Sequence, residues 1–312
     1  MNNAIAHALD AVTLGDPVIF ENITMIPLLG PPAVEREPFY LTLDEALAQG
    51  WTEITEVSEQ GSVPDLRVIN KGAKPVFILD GEELLGAKQN RVVNLSILVP
   101  VKGKLTIPVS CVEAGRWRAR SRAFSAAPRT QYAAGRAKRM AQVTASMQMS
   151  GARFSDQAEV WADISEKSAR LGAESATGAM EEIFTRHADF TDRSVESLRP
   201  VDLQAGALFQ LDGRVVGFDL FDSAPTLRRL LPKLVRSVAV DALDRPAGAS
   251  RKLKADLSRK VAEHFLALAS GAAVHEATAV GDGRDLRLVA PKISGAALQA
   301  DASIVHLSAF QV

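Results

Sequence analysis

Twelve consecutive residues, Asp80 to Arg91, concentrate the reactive side chains of this chain. They include three carboxylates (Asp80, Glu82, Glu83), two cations (Lys88, Arg91), two amides (Gln89, Asn90) and two glycines (Gly81, Gly86). The stretch reads as a polar loop between two apolar strands, and such a connection is where a scaffold presents groups to a ligand. Its glycines permit close backbone approach. The carboxylates of Glu82, Glu83 and the later Glu113 are candidate catalytic groups, able to act as general bases. With Asp80 they could hold Mg²⁺, which takes one or two carboxylates plus a ligand's phosphates. The alternative is that all are solvated turn acids.

The flanking strands set where these groups point. From Arg91 the odd positions Val93, Leu95, Ile97 and Val99 are apolar; from Lys104 so are Leu105, Ile107, Val109 and Cys111. If both sets face one core, odd residues pair with odd residues, because a slip of one turns a strand over. Pairing Val99 with Leu105 satisfies this through the three-residue loop Val101 to Gly103, with Gly103 in the left-handed position. Extended, this antiparallel hairpin (91–113) sets Val93 opposite Cys111 and Arg91 opposite Glu113. That inward pair is either a structural clasp or the floor of a polar pocket, since buried charges are costly unless paired. Cys111 reads as a small buried hydrophobe; as a nucleophile it needs a thiol pKa lowered by Arg91 or Arg116. The histidines (His7, His187, His264, His275, His306) show no metal-ligand spacing and read as structural or solvated.

Short apolar runs punctuated by Gly and Pro make residues 1–125 β-rich: Ile23 to Leu29, ended by Gly30-Pro31-Pro32, then Phe39 to Leu43, Leu66 to Ile69 and Val76 to Leu79. A short helix is expected after Thr42, capped by it or by Asp44. Residues 126–200 are Ala-rich and helical, with a stripe of Tyr132, Met140, Val143 and Met147. A helix capped by Ser155 and another piece from Ala179 to His187 follow. Residues 114–151 have the poorest apolar pattern and are expected to be partly mobile. Residues 201–312 begin with strands Leu208 to Leu211 and Val215 to Phe218 around Asp212-Gly213, a strong hairpin signal. A helix follows Asp222 or Ser223, with an apolar stripe of Leu227, Leu230, Leu231, Leu234 and Val238 that Pro232 should kink or split. Ser250 caps another helix, and strands at Leu286 to Val289, Ala296 to Leu298 and Ile304 to Phe310 close the chain. This order predicts an α+β fold in three parts (1–125, 126–200, 201–312), forming one unit if the last strands rejoin the first sheet.

Composition narrows the function classes. The chain has 312 residues, 36 Lys plus Arg, 37 Asp plus Glu and a net charge of −1, so it has no global attraction to nucleic acid or anionic membrane. Aromatic residues are only 5%, leaving few stacking platforms for single-stranded nucleic acid. One cysteine excludes an internal disulfide and fits a reducing cytosol. The longest apolar run, Val92 to Val101, is about half of the ~20 residues that span a bilayer. The N-terminus lacks a basic region and Asp10 interrupts its apolar stretch, so a soluble cytoplasmic protein is expected. Charge is uneven, however. Residues 104–139 carry nine basic side chains (Lys104, Arg116, Arg118, Arg120, Arg122, Arg129, Arg136, Lys138, Arg139) against Glu113 alone. The segment is either a solvated Arg-rich connection or a contact zone for anions, because the planar arginine fork suits phosphate. No GxxxxGK(S/T), GxSxG, HExxH or CxxC motif occurs, and no GxGxxG follows a strand, which weighs against P-loop NTPase, α/β-hydrolase, zincin and Rossmann dehydrogenase readings.

Two longer motifs are more specific. Gly81, Glu82, Leu84, Gly86, Ala87, Lys88, Gln89, Asn90, Arg91 and Asn94 form the first. Pro108, Val109, Ser110, Cys111, Val112, Glu113, Gly115, Arg116 and Trp117 form the second. With Leu41 to Ala46 and Glu56 to Leu66, they resemble the ADP-ribosylglycohydrolase- and rhodanese-phosphatase-associated protein family, over most of the chain from about Pro17 onward. The resemblance implies a place in NAD- or ADP-ribose-linked metabolism, with no reaction and no catalytic residues to carry over. The leading expectation is an accessory protein binding a phosphorylated, nucleotide-derived ligand such as ADP-ribose. Lys88, Arg91 and Arg116 would meet phosphate, Gln89 and Asn90 sugar or base, and Trp117 would stack on the base. Charge reversal at Arg116 would then remove binding and leave stability intact. The alternatives are a hydrolase or phosphoryl-processing enzyme at the same site, with Glu82, Glu83 or Glu113 as base or Mg²⁺ ligand, and an interaction module docking a protein through residues 116–139.

Overall fold

The computed structural model describes residues 3–245 and 255–312. Its largest sheet joins the two ends of the chain. The strand order is Thr13–Leu14, Ile23–Leu29, Gln204–Leu211, Arg214–Phe221, Ser303–Gln311, Ile293–Ala300, Arg284–Ala290 and Ala273–Thr278, with Val18–Phe20 also on Ile23–Leu29; all neighbours are antiparallel. Asp212 and Gly213 make the expected two-residue turn, both at positive φ (51° and 76°), as a type I′ hairpin requires. Both faces are apolar and alternate by residue. Met25, Phe209 and Leu211 pack beneath Leu227, Leu230, Leu231 and Leu234 of the helix Ala224–Leu243. Ile26, Leu28, Leu208 and Phe218 face Ile5 and Leu9 of the helix Asn3–Asp10 and Phe265 of the helix Ala255–Ser270. The sheet is thus covered on both sides, and the fold is α+β. The helix Ala224–Leu243 runs through Pro232 without splitting. The expected cap at Ser250 lies outside the described residues.

Residues 41–130 form two smaller sheets. One is six-stranded, in the order Phe124–Thr130, Glu82–Gly86, Arg91–Val93, Lys104–Cys111, Asp65–Asn70 and Thr52–Glu56. The other sets Val76–Ile78 between Ile97–Val99 and Leu41–Thr42. They share a core of Ile54, Leu66, Val68, Ile78, Leu84, Val93, Ile97, Ile107 and Val109. Thr42 caps the helix Leu43–Ala48 in a capping box with Glu45, which accepts from the Thr42 amide at 2.9 Å.

The hairpin register departs from the sequence expectation. Val93 pairs with Val109 and Arg91 with Cys111, two residues away from the expected partners. A two-residue shift keeps the same side chains inward, so the hydrophobic pattern does not separate the two registers. The tip is also different: Ile97–Val99 leaves for Val76–Ile78, while Lys104 to Pro108 pairs with Asp65 to Ile69. At the turn Lys102, not Gly103, takes the left-handed conformation (φ 53°).

Other boundaries move for local reasons. The polar stretch 80–91 is not a loop, since Glu82–Gly86 is a strand whose carboxylates meet buried cations. Phe124–Thr130 is a strand interrupted by an irregularity around Pro128, and the helix begins only at Ala133 and ends at Ser150. Asp156, not Ser155, caps Gln157–Arg170 by accepting from the Ala158 and Glu159 amides. The edge strand Ala273–Thr278 was not expected; its side chains are mostly exposed.

Candidate functional site

The strand Glu82–Gly86 turns through residues 87–90 into Arg91–Val93, and the end of Lys104–Cys111 runs beside it into Glu113 to Trp117. This brings Lys88, Gln89, Asn90, Arg91, Glu113, Arg116 and Trp117 together. The turn is tight. Ala87 sits at φ 38° and Gly86 at φ 129°, and a Cβ on Gly86 would meet Ser121 Oγ at 2.5 Å. Arg116 fastens it. Its Nη2 pairs with Glu113 Oε2 at 2.6 Å and donates to Asn90 Oδ1 at 3.1 Å, and its Nη1 donates to the Ala87 carbonyl at 2.7 Å. Asn90 donates from its amide to Glu113 Oε2 (3.2 Å), and Gln89 Nε2 donates to the Glu113 carbonyl (2.9 Å). Burial pushes the Glu113 carboxyl up, but hydrogen bonds from Arg116, Thr177 and the Asn90 amide outweigh it and hold the group below its ordinary value. The expected Arg91–Glu113 pair does not form, because Arg116 has taken Glu113.

Arg91 has a different environment. Its side chain has no solvent exposure, and its Nη1 donates to Gln89 Oε1 at 2.9 Å, but its Nε and Nη2 have no partner. Burial is the main influence lowering its pKa. Its guanidinium lies 5.7 Å from the ring centre of Trp117, and Lys88 Nζ lies 5.4 Å from the same ring. Lys88 Nζ also donates to the Glu59 and Gln60 carbonyls at 2.5 Å each. Trp117 is 48% exposed. Cys111, opposite Arg91, is buried, and burial pushes its thiol up to about 11, so it is protonated at neutral pH and unsuited to nucleophilic attack.

The candidate acids disperse. Glu82 Oε1 meets Lys233 at 2.5 Å, and Lys233 also pairs with Asp44 at 2.7 Å. Glu83 meets Arg129 at 2.5 Å, and Asp80 meets Arg139 at 2.6 Å and Arg136 at 3.4 Å. Burial raises the Glu82 and Glu83 carboxyls, against the pull of Lys233 and Arg129. Among the described residues no three His, Cys, Asp or Glu side chains gather to hold a metal ion. The basic segment divides as well: Arg116, Arg129, Arg136 and Arg139 are buried in ion pairs, while Lys104, Arg118, Arg120, Arg122 and Lys138 are exposed.

A second polar cluster escaped the sequence reading. Arg136 donates to both Asp219 oxygens (3.1 and 2.8 Å), Asp219 Oδ1 meets His306 Nε2 at 3.0 Å, and His306 Nδ1 meets Ser96 Oγ at 2.8 Å. The available signal was a polar residue inside a largely apolar run: Ser96 within Val92 to Val101, Asp219 within Val215 to Phe221, His306 within Ile304 to Phe310. A cleft of about 730 Å³ lies elsewhere, bordered by Lys138, Asp163, Lys167, Arg170, Asp241 and Asp244, whose charges pair among themselves.

No curated protein and no solved structure matches this chain. The two motifs at the turn and at Glu113 to Trp117 nonetheless lie inside a single family match, to the ARG and Rhodanese-Phosphatase-superfamily-associated Protein domain, which runs over residues 11–310. Spanning nearly the whole chain, that match makes this protein a member of the ARG and Rhodanese-Phosphatase-superfamily-associated Protein family.

Proposed function

We propose that the chain is an accessory protein of NAD- or ADP-ribose-linked metabolism that binds a phosphorylated, nucleotide-derived ligand beside the 86–91 turn. The supporting observation is the arrangement around Trp117. A half-exposed indole carries two cations, Lys88 and Arg91, on its ring, and Arg91 keeps two N–H donors without protein partners. An indole face beside cationic groups suits a base next to a phosphate. The family name fits this context, since it records association with ADP-ribosylglycohydrolase and rhodanese-phosphatase proteins. The residues divide their work differently from the sequence expectation. Trp117 offers the stacking face; Lys88, Arg91 and the exposed Arg118 and Arg120 supply positive charge. Arg116, Glu113, Gln89 and Asn90 hold the turn that positions them. Glu82, Glu83 and Glu113 are each committed to their own cation, which favours a binder over a Mg²⁺-dependent hydrolase at this site.

Thermal shift against ADP-ribose, NAD and sugar phosphates, each with and without Mg²⁺, tests the reading. A ligand at about 100 times its Kd adds about 2.7 kcal/mol of stability. A raised melting temperature with ADP-ribose, lost in Trp117→Ala, supports it. A flat response from folded protein overturns it and moves attention to a protein partner on Arg118, Arg120 and Arg122.

A further inference from the structure

Between the strands Thr52–Glu56 and Asp65–Asn70 the chain crosses residues 57–64 with no helix or strand, and none of these side chains is buried. Without apolar anchors, the position of this strap rests on hydrogen bonds and on one close contact. Both ends are tied to the smaller sheet. Arg67 Nη2 donates to the Val57 carbonyl at 2.5 Å, and the Val109 amide donates to the Pro64 carbonyl at 2.8 Å. The middle is tied by one side chain. Lys88 Nζ donates to the Glu59 and Gln60 carbonyls, and among the described residues these are the only hydrogen bonds from residues 58–61 to the rest of the molecule.

Gly61 makes the close contact. It sits at φ 80°, a conformation that favours glycine, and a Cβ there would lie 3.2 Å from Lys88 Cδ, 3.3 Å from Glu56 Oε2 and 3.4 Å from Trp117 Cζ2. The bare backbone of the strap therefore rests on the indole edge and on the stem of Lys88. Farther along, Cys111 Sγ lies 3.7 Å from the Val63 carbonyl.

The groups that Gly61 and Val63 border are those around Arg91: Trp117 on its ring, Cys111 opposite it in the ladder, and Glu56, whose charge acts on it without forming an ion pair. They are poorly satisfied. Arg91 Nε and Nη2 have no partner, and Glu56 Oε2 is buried without one. Buried donors and acceptors left this way favour any arrangement in which water or a ligand reaches them. The Arg91 side chain also has no exposed surface, so a phosphate has no route to it in this arrangement.

We propose that residues 57–64 are a lid over the Arg91–Trp117 site and that Lys88 is its latch, released by the oxyanion of an incoming phosphorylated ligand. The ligand's part in this rests on the binding function proposed above; the lid itself does not. A phosphate oxygen shares a full negative charge, where a backbone carbonyl carries only a partial one, so it competes for the Lys88 ammonium. Once Lys88 turns to the ligand, the middle of the strap loses its hydrogen bonds to the rest of the molecule. It then swings on its tied ends and uncovers the indole face and the free N–H groups of Arg91. One cation thus both recognises the ligand and opens the site. A nucleoside without phosphate leaves the latch engaged, so the lid selects for phosphorylated ligands.

Cys111 is the reporter, because it is the chain's one cysteine and is buried beside the strap. Its reaction with 4,4′-dithiodipyridine is followed on the full chain at one pH with no ligand present. Gly61→Ala strains the closed strap and Lys88→Met removes the latch, so both should react at least about tenfold faster than the unaltered protein, with the urea midpoint unchanged. Equal rates overturn the lid. A faster reaction with a matching fall in the urea midpoint also overturns it, because the whole fold is then opening. The second arm is thermal shift with ADP-ribose. Gly61→Ala leaves every proposed ligand contact in place, and the ADP-ribose concentration giving half the maximal shift should fall about tenfold, since the closed fraction lowers apparent affinity. An unchanged concentration overturns gating by the strap. No shift in either protein, with Cys111 still reacting faster in both variants, supports the lid and overturns the ligand assignment alone.

Discussion

The turn at 86–91 and the Ser96–His306–Asp219 cluster are both built from buried charges, but they are assembled differently. In the first, every polar partner of Arg116 lies within about thirty residues of it, in Gly86, Ala87, Asn90, Glu113 and Arg118. In the second, Ser96 and His306 are 210 positions apart, and Asp80, Arg136 and Asp219 come from three further elements. The first is a local clasp that leaves donors at its surface, on Trp117 and Lys88. The second is a seam holding the large sheet, the helix Ala133–Ser150 and the smaller sheets together. Removing a member of the seam should therefore cost the whole fold, while removing a surface member of the clasp should cost only binding.

Four experiments would break or sharpen that contrast. Arg136→Met leaves Asp80 and Asp219 short of a buried cation and should cost roughly 3–5 kcal/mol in urea unfolding. A loss below about 1 kcal/mol would remove the distinction. Arg116→Ala strands one carboxylate, Glu113, and should cost about 2–3 kcal/mol. This reverses the expectation from sequence that Arg116 could change without a stability cost. Glu113→Gln should cost about 1 kcal/mol at pH 7. Because the folded protein holds Glu113 below its ordinary value, its contribution is complete above the unfolded pKa of about 4.3 and is lost as pH falls through the folded value. The gap between Glu113→Gln and the unaltered protein should begin to narrow as pH falls below about 4.3 and keep narrowing through the folded value; a gap independent of pH would mean the carboxylate charge is not what matters. Trp117→Ala should change stability by no more than about 0.5 kcal/mol while abolishing the ADP-ribose thermal shift. A large stability loss would move Trp117 from the binding surface into the clasp.

The same contrast governs how much could be read from sequence. Ile23–Leu29, the Asp212-Gly213 hairpin and the leucine stripe of Ala224–Leu243 were legible because each is a local pattern with one solution. The residues of the turn were legible as a group because they are contiguous. Their pairings were not: Arg91 and Arg116 compete for Glu113, and the winner depends on a register that hydrophobic alternation leaves open by two residues. Glu82–Gly86 was hidden as a strand because carboxylates argue against burial until Lys233 and Arg129 are known to be waiting. Ser96 drew no reading and His306 read as structural or solvated, since nothing local connects residue 96 to residue 306. Four arginines of the basic segment looked like surface charge for the same reason.

The large sheet also sets the order in which the chain can fold. Ile23–Leu29 finds its main strand partner only in Gln204–Leu211, and its remaining strand partners, Thr13–Leu14 and Val18–Phe20, are short. At ribosomal speeds of about 5–20 residues per second, this apolar strand waits roughly 10–35 s for its partner to be made. Long-range pairing of this kind is slow to form and leaves an open edge in the meantime. Newly made chains should therefore depend on a chaperone or on dilution through that interval, and fragments ending before residue 204 should aggregate through Ile23–Leu29.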